Sequence, residues 1–123
     1  MLMAELDAAF PWGLLLITDA ASKEPIPAWA APEEQVAAAE SALVVRVLHA
    51  DEGEVAVRVW STPEDASGVL IFTGDIQLSS GILKASDALG TMVSEWSVEA
   101  GRHPIQIFVD SNVEASAVHV VLS

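Results

Sequence analysis

The side chains of this sequence that could perform acid–base or metal chemistry are spread along the chain rather than grouped. Its three histidines, His49, His103 and His119, form no HxH or HxxxH pair, and cysteine is absent. A zinc ion needs three or four such ligands, which here would have to come from distant segments. We therefore predict a structural role for each histidine and no metal site.

Covalent and cofactor-dependent catalysis have no recognisable signature either. The sequence contains no G-x-S-x-G, no G-x-x-x-x-G-K and no G-x-G-x-x-G motif, and it has no tyrosine. The run Asp51-Glu52-Gly53-Glu54 is acidic like a calcium loop, but it lacks the D-x-D-x-D-G spacing of an EF-hand. The sequence predicts a protein that is not an enzyme and requires no cofactor.

The elements that must position the charged residues are predicted to be β-strands. From Leu43 onward, apolar and polar residues alternate with the period of two that is typical of a strand with one buried face. Turn residues at Asp51-Glu52-Gly53, Ser80-Gly81 and Ala100-Gly101 predict three hairpins. The predicted strands are 12–18, 43–49, 54–60, 69–79 with a bulge or break at Gly74, 82–86, 92–98, 104–110 and 115–122.

Helical signals are few. Pro32-Glu33-Glu34 predicts one or two helical turns through Ala39, because proline suits the first helical position and acids suit a helix N-terminus. A further turn is expected within 86–90, and 19–32 reads as a proline-containing surface loop. Seven or eight short strands in 123 residues predict an all-β fold, a single antiparallel β-sandwich domain spanning 1–123.

Two arginines would be neighbours if the first hairpin forms. Pairing 43–49 with 54–60 places Arg46 beside Arg58 on the outer face, and like charges in that position are unfavourable by up to about 1 kcal/mol. Either a nearby carboxylate compensates, or the two arginines form a small anion-binding patch. Two interpretations of Trp29 and Trp60 stay open: exposure on a binding surface, where tryptophan is enriched, or covering of the ends of the core.

The formal net charge of −13 indicates the kind of partner. Such a charge repels nucleic acid and anionic membranes and attracts basic proteins. Residues 1–65 carry twelve acids and three bases. The candidate partner-binding residues are therefore Trp29 and the acids of two predicted turns, namely Asp51, Glu52, Glu54, Glu64 and Asp65, with the Asp51–Glu54 turn favoured. Because no signal-like or membrane-spanning segment is visible, we expect a cytoplasmic protein.

The organisation of the chain resembles the competence protein J family, whose best-known member inhibits a DNA-entry nuclease. The similarity lies in Leu14–Ile17 leading into a proline loop that ends at Trp29, in the alanine-rich 35–42, and in Ser79–Ile82 followed by Trp96–Gly101. It implies a non-enzymatic inhibitor or immunity protein that binds a basic nuclease or toxin. Two alternatives stay open: a small-ligand or calcium-binding sandwich, and a domain that forms homo-oligomers.

Overall fold

Ten β-strands and three single 3-10 turns make up the regular structure in the computed structural model, which describes residues 2–25, 27, 29, 34–90, 92–110 and 115–122. The predicted all-β class is therefore confirmed. The 3-10 turns are Pro11–Gly13, Ala50–Glu52 and Pro63–Asp65. The strands are β1 (Leu2–Ala8), β2 (Leu14–Asp19), β3 (Val36–Ala38), β4 (Ala42–Arg46), β5 (Val55–Trp60), β6 (Val69–Leu78), β7 (Ile82–Asp87), β8 (Val93–Ser97), β9 (Gly101–Val109) and β10 (Ala117–Leu122).

The strands form two five-stranded sheets. Sheet I has the order β1-β5-β10-β9-β6, and sheet II has the order β3-β4-β2-β7-β8. Neighbouring strands are antiparallel except for β5 and β10, which are parallel. No helix in the described residues is long and apolar enough to span a membrane.

Apolar side chains from the inward faces of both sheets fill the space between them. Leu15 and Leu43 of sheet II are fully buried, as are Ile107 and Val120 of sheet I. Burying a side chain of this size contributes roughly 1.5–3 kcal/mol. On the outer face of sheet II Val44 is also buried, as the continuous apolar runs 14–17 and 43–45 predict for central strands.

The three predicted hairpins are wrong, and for one shared reason. β4 leads to β5, β6 to β7 and β8 to β9, and in each case the chain crosses from one sheet to the other. Within 43–60 and 76–85 the alternation correctly predicts the inward-facing residues. The side chains on the two sides of each turn face the core whether the chain folds back in its own sheet or crosses to the other one. The alternation does not predict whether two successive strands lie side by side or on opposite sides of the core.

Two further expectations need correction. Residues 36–38 form β3 instead of a helical turn, because this segment pairs along β4 from Val36 opposite Val45; Pro32 and Glu33 lie outside the described residues. β6 runs through Gly74 without a break, and its irregularity lies between Leu70 and Phe72. A side chain at position 74 would lie 2.9 Å from the ring of Phe72, so glycine there makes room for that ring.

The segment 61–68 connects two strands of the same sheet. β5 and β6 are separated by β10 and β9 in sheet I, and the segment between them passes the outer face of that sheet, on which His119 lies. It is close to that face at Ser67, whose hydroxyl lies 3.5 Å from Nε2 of His119 on β10. The contact at Ser67 places the end of this segment, just after the turn Pro63–Asp65, at the outer face of sheet I.

A substitution at Gly13 should test how tightly the first turn is packed. Gly13 and Gly90 have nearly equal positive φ values of 65° and 73°, but a Cβ at Gly13 would lie 2.7 Å from the carbonyl oxygen of Val47, whereas Gly90 has open space. We expect Gly90→Ala to cost about 1 kcal/mol from the left-handed backbone alone. Gly13→Ala should cost about 3 kcal/mol, because the clash is added.

Urea denaturation of the two variants measures this difference. Equal costs at the two positions would contradict the close approach of Gly13 to Val47.

Candidate protein-binding surface

Trp12 is the most unusual residue of the described chain. It lies in the turn Pro11–Gly13 with φ 62° and ψ 5°, and it is the one residue other than glycine with a positive φ in the described residues. Its side chain is 63% exposed. Left-handed backbone costs an L-residue about 1–2 kcal/mol and is concentrated at functional sites. A large apolar side chain is thus held in solvent by a strained turn.

Backbone hydrogen bonds hold this turn in place. The Gly13 N–H donates to the Phe10 carbonyl at 2.9 Å, and the Ala50 N–H donates to the same carbonyl at 3.1 Å. The Val47 N–H donates to the Gly13 carbonyl at 2.8 Å. Phe10 itself is fully buried. The Trp12 turn is therefore fixed to the segment that follows β4.

That segment carries the acidic turn predicted from the sequence. His49 caps the 3-10 turn Ala50–Glu52, because its Nδ1 accepts the Asp51 N–H at 3.1 Å. Asp51, Glu52 and Glu54 are exposed, and the 3-10 turn is in contact with the Trp12 turn. Three carboxylates and one exposed indole thus occupy the same end of the sandwich, called here the Trp12 end.

Other exposed apolar side chains lie at the Trp12 end of sheet II. Leu89, Met92 and Val93 are each exposed. The register of β7 with β2 and β8 places them at the end where β2 begins. Exposed apolar side chains grouped beside charged ones are typical of a protein-binding surface.

Trp29 lies over Arg46 beside a cleft at the same end. The guanidinium carbon of Arg46 is 4.2 Å from the centroid of the Trp29 ring, a cation–π distance. The cleft has a volume of about 400 Å³ and is lined by Trp12, Gly13, Leu14, Trp29, Arg46, Val47 and His49. Trp29, a predicted binding residue, is half-buried and lines the same cleft as His49, which caps the acidic turn.

Arg46 and Arg58 are not neighbours, which corrects the predicted pairing. Arg46 ends β4 in sheet II and Arg58 lies in β5 of sheet I, because the chain between them crosses the core. The carboxylates of Glu5 and Asp7 on β1 lie 3.2 and 2.9 Å from the Arg58 guanidinium. A shared anion patch is therefore excluded, and Arg58 is neutralised by the adjacent strand.

The second acidic turn lies elsewhere. Pro63–Asp65, which contains Glu64, follows β5, whereas the Asp51–Glu54 turn precedes that strand. A six-residue strand separates its ends by roughly 20 Å. Glu64 is exposed, but it does not share the surface formed by Trp12 and the Asp51–Glu54 turn.

The opposite end of the sandwich has a larger cleft whose polar groups already bond one another. The cleft of about 580 Å³ includes Asp19, Glu24, Ser41 and Ser80. The Ser41 N–H donates to Glu24 at 2.5 Å, and the hydroxyls of Ser41 and Ser80 donate to Glu24 and Asp19. The Ser41 hydroxyl and amide hold the pKa of Glu24 below its ordinary value. Within the described residues no three His, Asp or Glu side chains converge as a metal ion would require.

Comparison with solved structures matches the whole domain. The crystal structure of ComJ from Bacillus subtilis, an inhibitor of the DNA-degrading activity of NucA, aligns with a TM-score of 0.76 and 11% identity over 99% of this chain and 96% of ComJ. The chain shares the fold of ComJ. The structure described as crocagin biosynthetic gene J also matches, with a TM-score of 0.55 and 20% identity over 98% of this chain and 97% of that one. No family model and no curated protein matches the sequence.

The resemblance to the competence protein J family is thus confirmed at the level of the fold. The acidic turn and Trp29 remain predicted binding residues, and the predicted strand 12–18 includes Trp12, which the structure places in an exposed turn before β2. The flanking Pro11 and Gly13, both turn-forming residues, were the signal that separates it from β2. Trp60, for which exposure and covering of the core were both open, is half-buried.

Trp60 is partly covered because it pairs with His119. The two rings stack with centroids 6.0 Å apart, and the indole N–H donates to Nδ1 of His119 at 2.8 Å. Burial, and secondarily the positive charge of Arg58, lower the pKa of His119 from its ordinary 6.5. The neutral ring is the form that this arrangement stabilises, because a proton on Nδ1 would remove the acceptor for Trp60.

The stability of the protein should therefore depend on His119 near neutral pH. A histidine whose pKa is lowered by folding contributes stability above about pH 6.5, and this contribution is lost as the pH falls because the unfolded chain then binds more protons. We expect the free energy of unfolding to fall as the pH decreases through the ordinary histidine pKa of 6.5. His119→Asn, which offers an acceptor oxygen and does not titrate, should flatten that slope.

Urea denaturation of the wild-type chain and of His119→Asn at several pH values measures the effect. A slope unchanged in His119→Asn would contradict this account.

Proposed function

We propose that this protein is a non-enzymatic inhibitor that binds a basic, DNA-degrading nuclease through the Trp12 end of the sandwich. The observation that carries the proposal is the placement of exposed Trp12 against the acidic turn Asp51–Glu54, on a fold shared with a nuclease inhibitor. The fold shared with ComJ supports a DNA-degrading nuclease as the partner, and exposed Trp12 beside the acidic turn supports the place where it binds.

Electrostatics favours such a partner. A nuclease must hold phosphate, so its active-site region is basic, and this chain carries a net charge of −13. Complementary charge raises association rates by about 10- to 1,000-fold at low salt. Asp51, Glu52 and Glu54 project from a turn held by His49, so their charge is presented in a fixed place.

Electrostatic attraction alone does not define how the two proteins are oriented. An apolar contact made by Trp12 would fix that orientation. Tryptophan is enriched among residues that dominate binding energy, especially where neighbours exclude water around it. The exposed Leu89 and Met92 at the same end supply apolar surface. The expected complex therefore has an apolar centre containing Trp12 and an acidic margin formed by the Asp51–Glu54 turn.

Removing the charge of the acidic turn should slow binding without unfolding the protein. We expect the variant Asp51→Asn, Glu52→Gln, Glu54→Gln to associate about 10-fold more slowly with the nuclease at low salt and to show a flatter salt dependence. Each residue is exposed, so each change should alter stability by less than about 0.5 kcal/mol.

The matched control removes three exposed carboxylates elsewhere, by Asp75→Asn, Glu95→Gln and Glu99→Gln. The nuclease is purified from the native host on the immobilised protein, and its DNA cleavage and binding kinetics are then measured. Equal effects of the two triple variants would show that overall charge acts without a defined site. Absence of any retained, inhibited nuclease would refute the proposed function.

Substitution of Trp12 should separate binding from folding. Trp12→Gly relieves the left-handed strain and loses little burial, so stability should change by less than about 1 kcal/mol. Affinity for the nuclease should fall at least about 30-fold, as for other dominant interface residues. Trp12→Phe keeps an aromatic ring and should lose less than about 10-fold.

Isothermal titration with the purified nuclease gives these affinities. Unchanged affinity of Trp12→Gly would remove Trp12 from the interface.

A further inference from the structure

The polar side chains that line the cleft beside Trp12 are hydrogen-bond donors, and no acid is among them. Four of the cleft's seven described lining residues have polar side chains, namely Trp12, Trp29, Arg46 and His49, and none is a carboxylate. Indole and guanidinium groups are donors only. Such a lining is unexpected in a chain with eighteen acidic residues.

His49 is a donor toward a ligand as well. Its Nδ1 accepts the Asp51 N–H at 3.1 Å, so the neutral ring carries its proton on Nε2. The lining polar side chains among the described residues can therefore all donate, and their remaining neighbours Leu14 and Val47 are apolar. A ligand of this cleft must accept hydrogen bonds and have an apolar body.

Arg46 is held in place and has no ion-pair partner among the described residues. Its backbone N–H donates to the Gln35 carbonyl at 2.8 Å, and its guanidinium is stacked on Trp29 at 4.2 Å. The Nε atom is buried without a hydrogen-bond partner. A buried donor left unpaired costs about 1–3 kcal/mol, and such groups in native proteins call for an explanation.

The other two arginines, in contrast, each have a carboxylate partner. Arg58 is paired with Glu5 and Asp7, and Arg102 lies 3.5 Å from Glu40. Within the described part of the chain no carboxylate lies within 4 Å of Arg46. Among the described residues no acid neutralises this guanidinium, so its charge can attract an anion that enters the cleft.

We propose that this cleft binds a carboxylate carried on an aromatic or other apolar body. The planar guanidinium matches the carboxylate fork, the two indoles and the apolar residues receive the body, and a volume of about 400 Å³ is within the range of small-ligand sites. The nearby Asp51, Glu52 and Glu54 disfavour a doubly charged anion, which selects a carboxylate over a phosphate.

Such a carboxylate could belong to a free small acid or to the protein partner, and the chemistry of the site is the same for both. The primary test uses the isolated chain, so its outcome does not depend on the proposed nuclease inhibition. ¹⁵N-resolved NMR follows the Nε–H signals of Arg46, Arg58 and Arg102 and the indole N–H signals while sodium benzoate is added at constant ionic strength.

We expect the Arg46 and Trp29 signals to shift and to saturate with a dissociation constant on the order of 1 mM. Those of Arg58 and Arg102 should stay in place. Inorganic phosphate at the same concentration should give at least about 10-fold weaker binding. Arg46→Lys, with its fold checked by thermal unfolding, should weaken benzoate binding at least about 10-fold, whereas Arg58→Lys should not.

A second arm identifies the source of the carboxylate. If the partner supplies it, benzoate competes with the nuclease and Arg46→Lys weakens inhibition. If a free acid supplies it, benzoate binds while Arg46→Lys leaves inhibition unchanged. The proposal is overturned if no saturable shift occurs at Arg46 in the wild-type chain, if all three arginines shift alike, or if phosphate binds more tightly than benzoate.

Discussion

Burial of one face of each sheet against the other is the constraint on which the rest of this structure depends. The domain has no cysteine for disulfides, so the inward-facing side chains of sheets I and II must supply most of its stability. Phe10 links this buried core to the exposed Trp12 turn. Its ring is buried in this core, its carbonyl accepts two hydrogen bonds from the segments that form the Trp12 end, and Trp12 therefore remains in a strained conformation.

The sequence predicts the faces of the strands far better than their partners. Alternation at 43–49 and 54–60 identifies Val45 and Val57 as inward-facing, and both are buried. Pairing depends on information that alternation does not carry, namely whether a turn keeps the chain in its sheet. β5 illustrates this, because its neighbours are β1 and β10, which lie far from it in sequence and one of which is parallel to it.

The candidate binding surface, too, has one part that the sequence predicts and another part that it does not. The acidic turn could be predicted because its residues are consecutive and polar at a chain reversal. The stacking of Arg46 on Trp29 could not, because it joins a strand end to a loop seventeen positions earlier in the sequence. Trp12 was obscured by the apolar run that follows it. Surfaces assembled from separate segments require the fold before they can be recognised.

The position of β10 also has a consequence for how the protein forms during synthesis. β10 is the last described strand in the sequence, yet it lies in the middle of sheet I between β5 and β9. Before it emerges from the ribosome, the β1–β5 and β6–β9 pairs have no strand to join them, and each leaves an open edge. Such edges can pair with other chains, and non-local pairing is slow to form. Sheet I can therefore be completed only after β10 has been synthesised, and until then the open edges of the two strand pairs have to be shielded from other chains.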